Sequence, residues 1–415
     1  MHKVLILGSL LEFTQMVVKA KQMGYYTIVC DGYQNGSAKA VADKSYNIDI
    51  HDVDAISEMC KKEQVDGIIT SFSDLLFEQA TKIAAKAGLK WYIQPDMLPY
   101  YRDKQIAKTL LAELHIPVPQ TYQIDQQNVY EILNKVQFPL VLKPLKGYGS
   151  HGIKLIKHKK ELISEVIHAT SENRLPLYAE EYLHGCEYNM QTWVQNGQIY
   201  LISIADREKN IQNGNQIPML NRVVYPAKRF NEVKEQAMNI LQTFISATEQ
   251  LSGPLSMQFF DVNGTIYVCE IAGRFFGYEH RAIECCSNLD LEILLLQYLY
   301  QEEEIPKLFD RYNPKFKTHC VVMYLTGKYG ETVADVSKLS ELTKLPYIFD
   351  YDTPYQPGMV TQNVGDMAHL GLFYLKAETR EEADRNSQNI FKKFQIYNQD
   401  GVNIAHTYEL NTQNY

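Results

Sequence analysis

The sequence predicts two architectures in one chain: a doubly wound, parallel α/β layer first, then a mostly antiparallel α+β region. Three observations carry this. In the first hundred residues, short apolar runs alternate with helical patterns across short connections, which is how a parallel layer is built. After residue 100 apolar runs follow one another with few helices between them. Late in that region Asn263-Gly264 separates two such runs, a strong signal for a tight hairpin. The change of element pattern sets the expected boundary near residue 100, and a third unit is expected to begin near residue 305, giving 1–100, 101–304 and 305–415, the last a small α+β unit.

Taken in order, KVLILG (3–8) is an apolar run ending in Gly8, and a helical pattern follows to Met23. YYTIVCD ends a second strand at Asp31, VDGIITS (65–71) is a third, and LLFEQATKIAAKAGL (75–89) is the helix after it. Gly8 and Asp31 suggest a dinucleotide site, but GSLLEF lacks the G-x-G-x-x-G fingerprint, so a layer without dinucleotide is the better reading. DKQIAKTLLAELH (103–115) reads as an amphipathic helix with Ile106, Leu110, Leu111 and Leu114 on one face, stopped by IPVP. LVLK, GIKLI, PLYAEEYL, YNMQTWV and IYLISIA are strands, with a helix over 158–170. The segment 206–226 is polar, reads as strand-poor and is expected near a substrate mouth. EVKEQAMNILQTFISATEQL (232–251) is a helix, and PLSMQFFDV and TIYVCEIAG are the hairpin strands. In the last part AHLGLFYLKAETREEADRNSQNIFKKF reads as a strand followed by a helix.

With 415 residues and 45% hydrophobic content, the chain can bury a sizeable core. A formal charge of −8 with no long basic run argues against a nucleic-acid partner. No apolar run reaches the ~18 residues of a membrane span, and Glu12 interrupts the apolar opening, which reads as a strand rather than a signal peptide. Seven cysteines without a C-x-x-C pair are expected to be reduced thiols of a cytoplasmic protein.

FPLVLKPLKGYGSHGIKLI (138–156) sets three glycines, 147, 149 and 152, among lysines 143, 146 and 154. Glycines let backbone N–H groups approach oxygens closely and lysines add charge, a combination suited to phosphate. A hairpin with a basic tip is an equal reading of this stretch alone. Glu180, Glu181 and Glu187 close a strand that bends at Gly185; alone, they read as a solvated edge. Gln258 and Glu270 nearly face each other across the hairpin if one extra residue is accommodated in the turn, and two such oxygens suit a hard cation. Arg274 follows Glu270 by four residues.

In this order the elements resemble the ATP-grasp superfamily, the fold of D-alanine ligase, biotin carboxylase and carbamoyl-phosphate synthetase, over residues 1 to about 300. The resemblance implies a pre-ATP-grasp domain over 1–100 and an ATP-grasp domain over 101–304, with a lid near 118–190. It implies ATP and Mg²⁺, or Mn²⁺ in its place. Lys104 and Lys143 would meet the α- and β-phosphates, and the flap with Gly147, Gly149 and Ser150 would close over them. Glu180 would accept from the adenine amino group, Glu181, Tyr182 and Leu183 would form the hinge, and Glu187 would hold the ribose. Gln258 and Glu270 would bind metal, and Arg274 would steady an acyl phosphate. Many members carry an acid where this chain has Gln258, and E-x-N-P-R where it has E-I-A-G-R.

The activity so implied is that of an ATP-dependent ligase, activating a small-molecule carboxylate as an acyl phosphate and joining it to an amine. A homodimer is compatible with it. His280 and Arg281 would hold the carboxylate substrate, although the start of a surface helix is an equal reading. Cys285 and Cys286 are read as helix packing. A bicarbonate-activating enzyme is the second expectation, set lower because the biotin carboxylase branch has a longer flap than KGYGSHG. A non-catalytic nucleotide-binding subunit is the third.

Overall fold

Four parallel strands open the chain in the spatial order Lys44–Asn47, Tyr26–Asp31, Lys3–Leu7, Gly67–Ile69. Lys3–Leu7 is apolar almost throughout because it lies central in a layer covered on both faces, and Val4 to Leu7 are fully buried. The strand Lys44–Asn47 and the helix Val53–Glu63 carry weaker signals and are additions to the expected order; that strand is a largely exposed edge. Asp31 is held by Lys39, whose ammonium lies 2.9 Å from its Oδ1, so the carboxylate a dinucleotide ribose would need is already engaged. This computed structural model describes all residues except Ser71, 145–152, 210–218, 365–366 and 411–415.

Beyond residue 100 the described residues form three antiparallel sheets, one of them a two-stranded pair. A small one runs Thr121–Ile124, Leu177–Glu181, Leu140–Pro144, Lys154–Ile156. The large one has eight strands, ordered Thr265–Ala272, Ser252–Val262, Cys186–Gln195, Gln198–Lys209, Leu220–Tyr225, His319–Gly327, Ala368–Ala377, Ile348–Asp352. Three C-terminal strands therefore continue the central sheet, while Val333–Asp335 and Tyr397–Asn398 pair as a small sheet of their own. The hairpin turn is as expected: Asn263 and Gly264 both take positive φ, 52° and 86°, the geometry a two-residue turn requires. On the helix Lys104–Glu113 Leu111 is buried, but Ile106 is 40% exposed and lies off the expected face. Gly253 sits where an added Cβ would meet the Tyr92 ring at 2.4 Å, so only glycine lets the layer and the sheet close together there.

The two faces of the large sheet carry different charges. On one, Arg222 is fully buried, donating to Glu208 at 2.7 Å and to Asp384 at 2.6 Å. Arg380 joins Asp206 and Glu208, fastening the helix Arg380–Lys393 to the sheet. This corrects the reading of 206–226 as strand-poor. Asp206 to Lys209 and Leu220 to Tyr225 are strands, because their charges neutralise one another inside the fold; residues 210–218 lie outside the described part. The expectation of seven reduced thiols is also corrected, since Cys286 and Cys320 form a disulfide. The helix His280–Ser287 packs on the strand His319–Gly327 and brings the pair together, a contact that spacing along the chain does not reveal.

Replacing Arg222 by Ala leaves Glu208 buried with one counterion fewer. The expected cost is ~3–5 kcal/mol, the usual penalty for breaking a buried ion pair by removing one partner. Urea unfolding followed by circular dichroism should show the midpoint fall by that equivalent.

Candidate nucleotide and metal site

The small sheet carries one buried acid between two lysines. Leu140–Pro144 pairs with Leu177–Glu181 so that Val141 faces Glu180, which makes Lys143 the diagonal neighbour of Glu180 on one face. Glu180, 9% exposed, forms ion pairs with both Lys143 and Lys108. Burial pushes its carboxyl up, but the two lysines more than offset this and hold it below the usual carboxylate range. Burial in turn pushes the Lys108 ammonium down, against the pull of Glu180. Lys143 and Lys108 thus share one acid, and the Glu180 carboxylate is engaged with lysines where the resemblance implied an acceptor for an adenine amino group.

Lys104 opens the helix Lys104–Glu113 and is exposed; Lys108, one turn on, is the lysine that reaches the acid. The i, i+4 spacing on one helix face was the available signal for it. At the hinge the Glu181 N–H donates to the Gln120 carbonyl at 2.9 Å, whereas the Leu183 N–H has no partner among the described residues. Tyr182 lies edge-on to His184, with ring centroids 4.9 Å apart. The flap, with Gly147, Gly149 and Ser150, lies outside the described residues.

The large sheet supplies the second half. Gln258 pairs with Glu270, as the hairpin count requires, but the extra residue is taken up at Cys269 as a bulge and not in the turn. Glu187, 2% exposed, lies beside them on the same face. Arg207 reaches its Oε1 at 2.8 Å, Gln258 Nε2 reaches the same atom at 2.6 Å, and Lys209 lies 2.5 Å from Oε2. Burial pushes this carboxyl up, and Lys209 and Arg207 bring it below the usual range. Glu187 is thus tied to the hairpin through Gln258. Lys143 and Glu180 from the small sheet, and Glu187 and Lys209 from the large one, all act electrostatically on the thiol of Cys269, so the two halves meet across the bulge.

A hard cation fits this arrangement as a partner of two protein oxygens. The Gln258 amide donates through Nε2, leaving Oε1 available, and the exposed Glu270 forms no hydrogen bond or ion pair among the described residues, although the Arg274 charge acts on it. Those residues contain no cluster of three or more His, Cys, Asp or Glu that could hold a metal, so the remaining ligands of a six-coordinate ion would come from phosphate oxygens and water.

Arg274 is seated on Asp74 of the helix Asp74–Ala87 by two parallel contacts, Nε to Oδ1 at 2.6 Å and Nη2 to Oδ2 at 2.8 Å. His280 is buried and stacked on Phe72 with centroids 4.4 Å apart. Burial pushes its imidazole down to about 3, helped by Arg281 and Lys19, so at neutral pH it is uncharged and is no counterion for a carboxylate. Arg281 pairs with Asp350 at 2.8 Å. The sequence reading missed Glu279, which is 2% exposed and accepts from Asn189, Gln191 and Tyr225 on the same sheet face. Burial pushes its carboxyl above the usual range. No local pattern marks such an acid, because its three partners come from two distant strands.

Residues 109–289 match the family model of the ATP-grasp domain, so the resemblance drawn from the sequence is borne out. The chain is 26% identical over 162 residues to the formate-dependent phosphoribosylglycinamide formyltransferase of Aliivibrio fischeri, covering 39% of this chain and 41% of that protein. It is 24% identical over 325 residues to the N5-carboxyaminoimidazole ribonucleotide synthase of Staphylococcus epidermidis, covering 75% and 79%. Among solved structures it superimposes on the L-amino acid ligase of Bacillus licheniformis with a TM-score of 0.80, at 17% identity over 96% of this chain and 99% of that one. It superimposes on the N5-carboxyaminoimidazole ribonucleotide synthetase of Thermotoga maritima with a TM-score of 0.72, at 21% identity over 96% and 100%. No described helix is long and apolar enough to cross a membrane.

The buried His280 makes stability pH-dependent with a definite sign. Its folded value of about 3 lies below the ordinary ~6.5, so between these the unfolded chain binds one more proton. The contribution is complete above pH ~6.5 and is lost as the pH falls towards 3, at up to ~1.4 kcal/mol per pH unit. Urea midpoints measured at pH 7, 5.5 and 4.5 should drop more steeply for the parent protein than for His280→Gln.

Proposed function

We propose that this chain, whose residues 109–289 are an ATP-grasp domain, is an ATP-dependent ligase that activates a small-molecule carboxylate and joins it to an amine. The observation that carries this reading is the meeting of two charged sets around Cys269, Lys108–Glu180–Lys143 from one sheet and Glu187–Arg207–Lys209 beside Gln258 and Glu270 from the other. A polyanion with a bound cation answers the charges of both. Lys143 and Lys108, with Lys104 at the mouth, would neutralise the α- and β-phosphates. Leu183 N–H and Glu181 C=O would read the adenine edge, Tyr182 would border it, and Glu187 would share its ion pairs with the ribose. Gly147, Gly149 and Ser150 would cover the phosphates. Gln258 and Glu270 would hold Mg²⁺, or Mn²⁺ in its place, which when bound neutralises charge on the transferring phosphoryl group.

In the first half-reaction a carboxylate oxygen attacks the γ-phosphorus while the bond to the β–γ bridging oxygen breaks and ADP leaves. In the second the amine attacks the acyl carbon, the carbon–oxygen bond to phosphate breaks, and the amine gives up its proton. Arg274 steadies the charge on the acyl phosphate, a role of alignment and electrostatics. Arg281, with its Asp350 partner, borders the substrate end. The same reading divides the chain into units 1–100, 101–304 and 305–415. It makes the protein a cytoplasmic enzyme of small-molecule substrates, with no nucleic-acid or membrane partner.

The decisive experiment is ADP and phosphate release across pairs of carboxylates and amines, with bicarbonate alone as a separate arm. Turnover that needs both a carboxylate and an amine supports the ligase; turnover with bicarbonate and no amine moves the reading to a carboxylase. Nucleotide binding without turnover leaves a non-catalytic subunit. Glu270→Ala should lower ADP release by about 10²-fold or more, since it removes the charged metal ligand. Gln258→Leu should lower it in a way that added Mg²⁺ partly restores; a magnesium titration matching the parent would leave Glu270 as the one protein ligand of the pair. Lys143→Ala removes a charge-assisted contact, and its ATP affinity by calorimetry should fall about 10- to 100-fold.

A further inference from the structure

Arg274 comes from the end of the metal hairpin, but its orientation is set elsewhere. Asp74 takes it in a two-point grip through Nε and Nη2, and Nη1 donates to the Phe275 carbonyl at 3.1 Å. A guanidinium has five N–H groups in one plane. Three are engaged, which leaves one on each terminal nitrogen for an oxyanion. A two-point grip fixes the plane of the guanidinium as well as its position, which a single contact cannot do. Asp74 is itself held, since it follows the helix cap Ser73, and Arg102 stands 3.7 Å away with its Nε turned to Glu78 at 3.3 Å. Lys104 also acts on the Asp74 charge, so three cations from three elements converge on one carboxylate of the N-terminal layer.

We propose that Asp74 is a positioning residue for Arg274, fixing the plane and reach of the guanidinium so that its two remaining N–H groups meet the phosphoryl oxygen. The N-terminal layer is then part of the catalytic apparatus. The inference rests on the ligase reading above and adds to it a residue that touches neither nucleotide nor acyl phosphate.

The test uses the full chain and a substrate pair that gives ADP release. Asp74→Asn should lower kcat by about 10- to 100-fold, the scale of a misplaced catalytic group, while KM for ATP changes less than about twofold. Asp74→Glu, which keeps the charge, should recover most of the rate. Arg274→Lys abolishes the two-point grip, so Asp74→Asn added to it should cost little more. Parental kcat in Asp74→Asn with a lowered urea midpoint would overturn the proposal, since the pair would then only dock the layer. Multiplying losses in the double variant would overturn it too, because Asp74 would be acting apart from Arg274. If the parent releases no ADP with any pair, the ligase reading fails and the proposal falls with it, an outcome distinct from an active parent with an unaffected Asp74→Asn.

Discussion

The register of one hairpin governs the rest of the site. Side chains on a strand alternate between faces, so a slip of one residue between Ser252–Val262 and Thr265–Ala272 would turn Glu270 away from Gln258. Two features hold the register. The turn at Asn263-Gly264 closes the first pairs, and the bulge at Cys269 absorbs the single residue that would otherwise misalign Gln258 and Glu270. Pairing with Cys186–Gln195 extends the same order, setting Glu187 and Asn189 beside Gln258. A local deviation in the ladder thus places three strands' polar groups on one face.

Charge compensation is the second constraint. Glu180 and Glu187 are buried, and each is stable there because two cations answer it. The cations that would face a triphosphate are therefore already ordered by internal acids, which lowers the entropy lost when a polyanion arrives. The opposite face of the sheet follows the same rule, with Arg222 and Arg380 among Asp206, Glu208 and Asp384. There the pairs close on one another and hold the C-terminal helix, whereas Glu270 on the other face forms no ion pair among the described residues.

Much of this was legible in the residues. The parallel layer, the hairpin, Gln258 opposite Glu270 and the lysine-bearing strand follow from periodicity, turn chemistry and counting, which are local properties. The resemblance to ATP-grasp proteins followed from the order of those elements. What the residues did not show had one cause. Lys108 reaching Glu180 while Lys104 stays exposed, Glu180 as the anchor of two lysines, neutral His280, buried Glu279, strands through Asp206–Lys209, and the Cys286–Cys320 disulfide all depend on a partner distant in the chain.

The sequence by itself determined most of the strands and helices, where the tight turn falls, and which residue types are available for phosphate and metal, because backbone preference and amphipathic period are short-range. Tertiary structure alone decided which charge answers which. An ion pair depends on separation in space and on the local dielectric, and both arise only when sheets from different parts of the chain close on each other. Arg274 on Asp74 is such a case: each is ordinary in its own stretch, and their pairing exists because the N-terminal layer packs against the end of the hairpin.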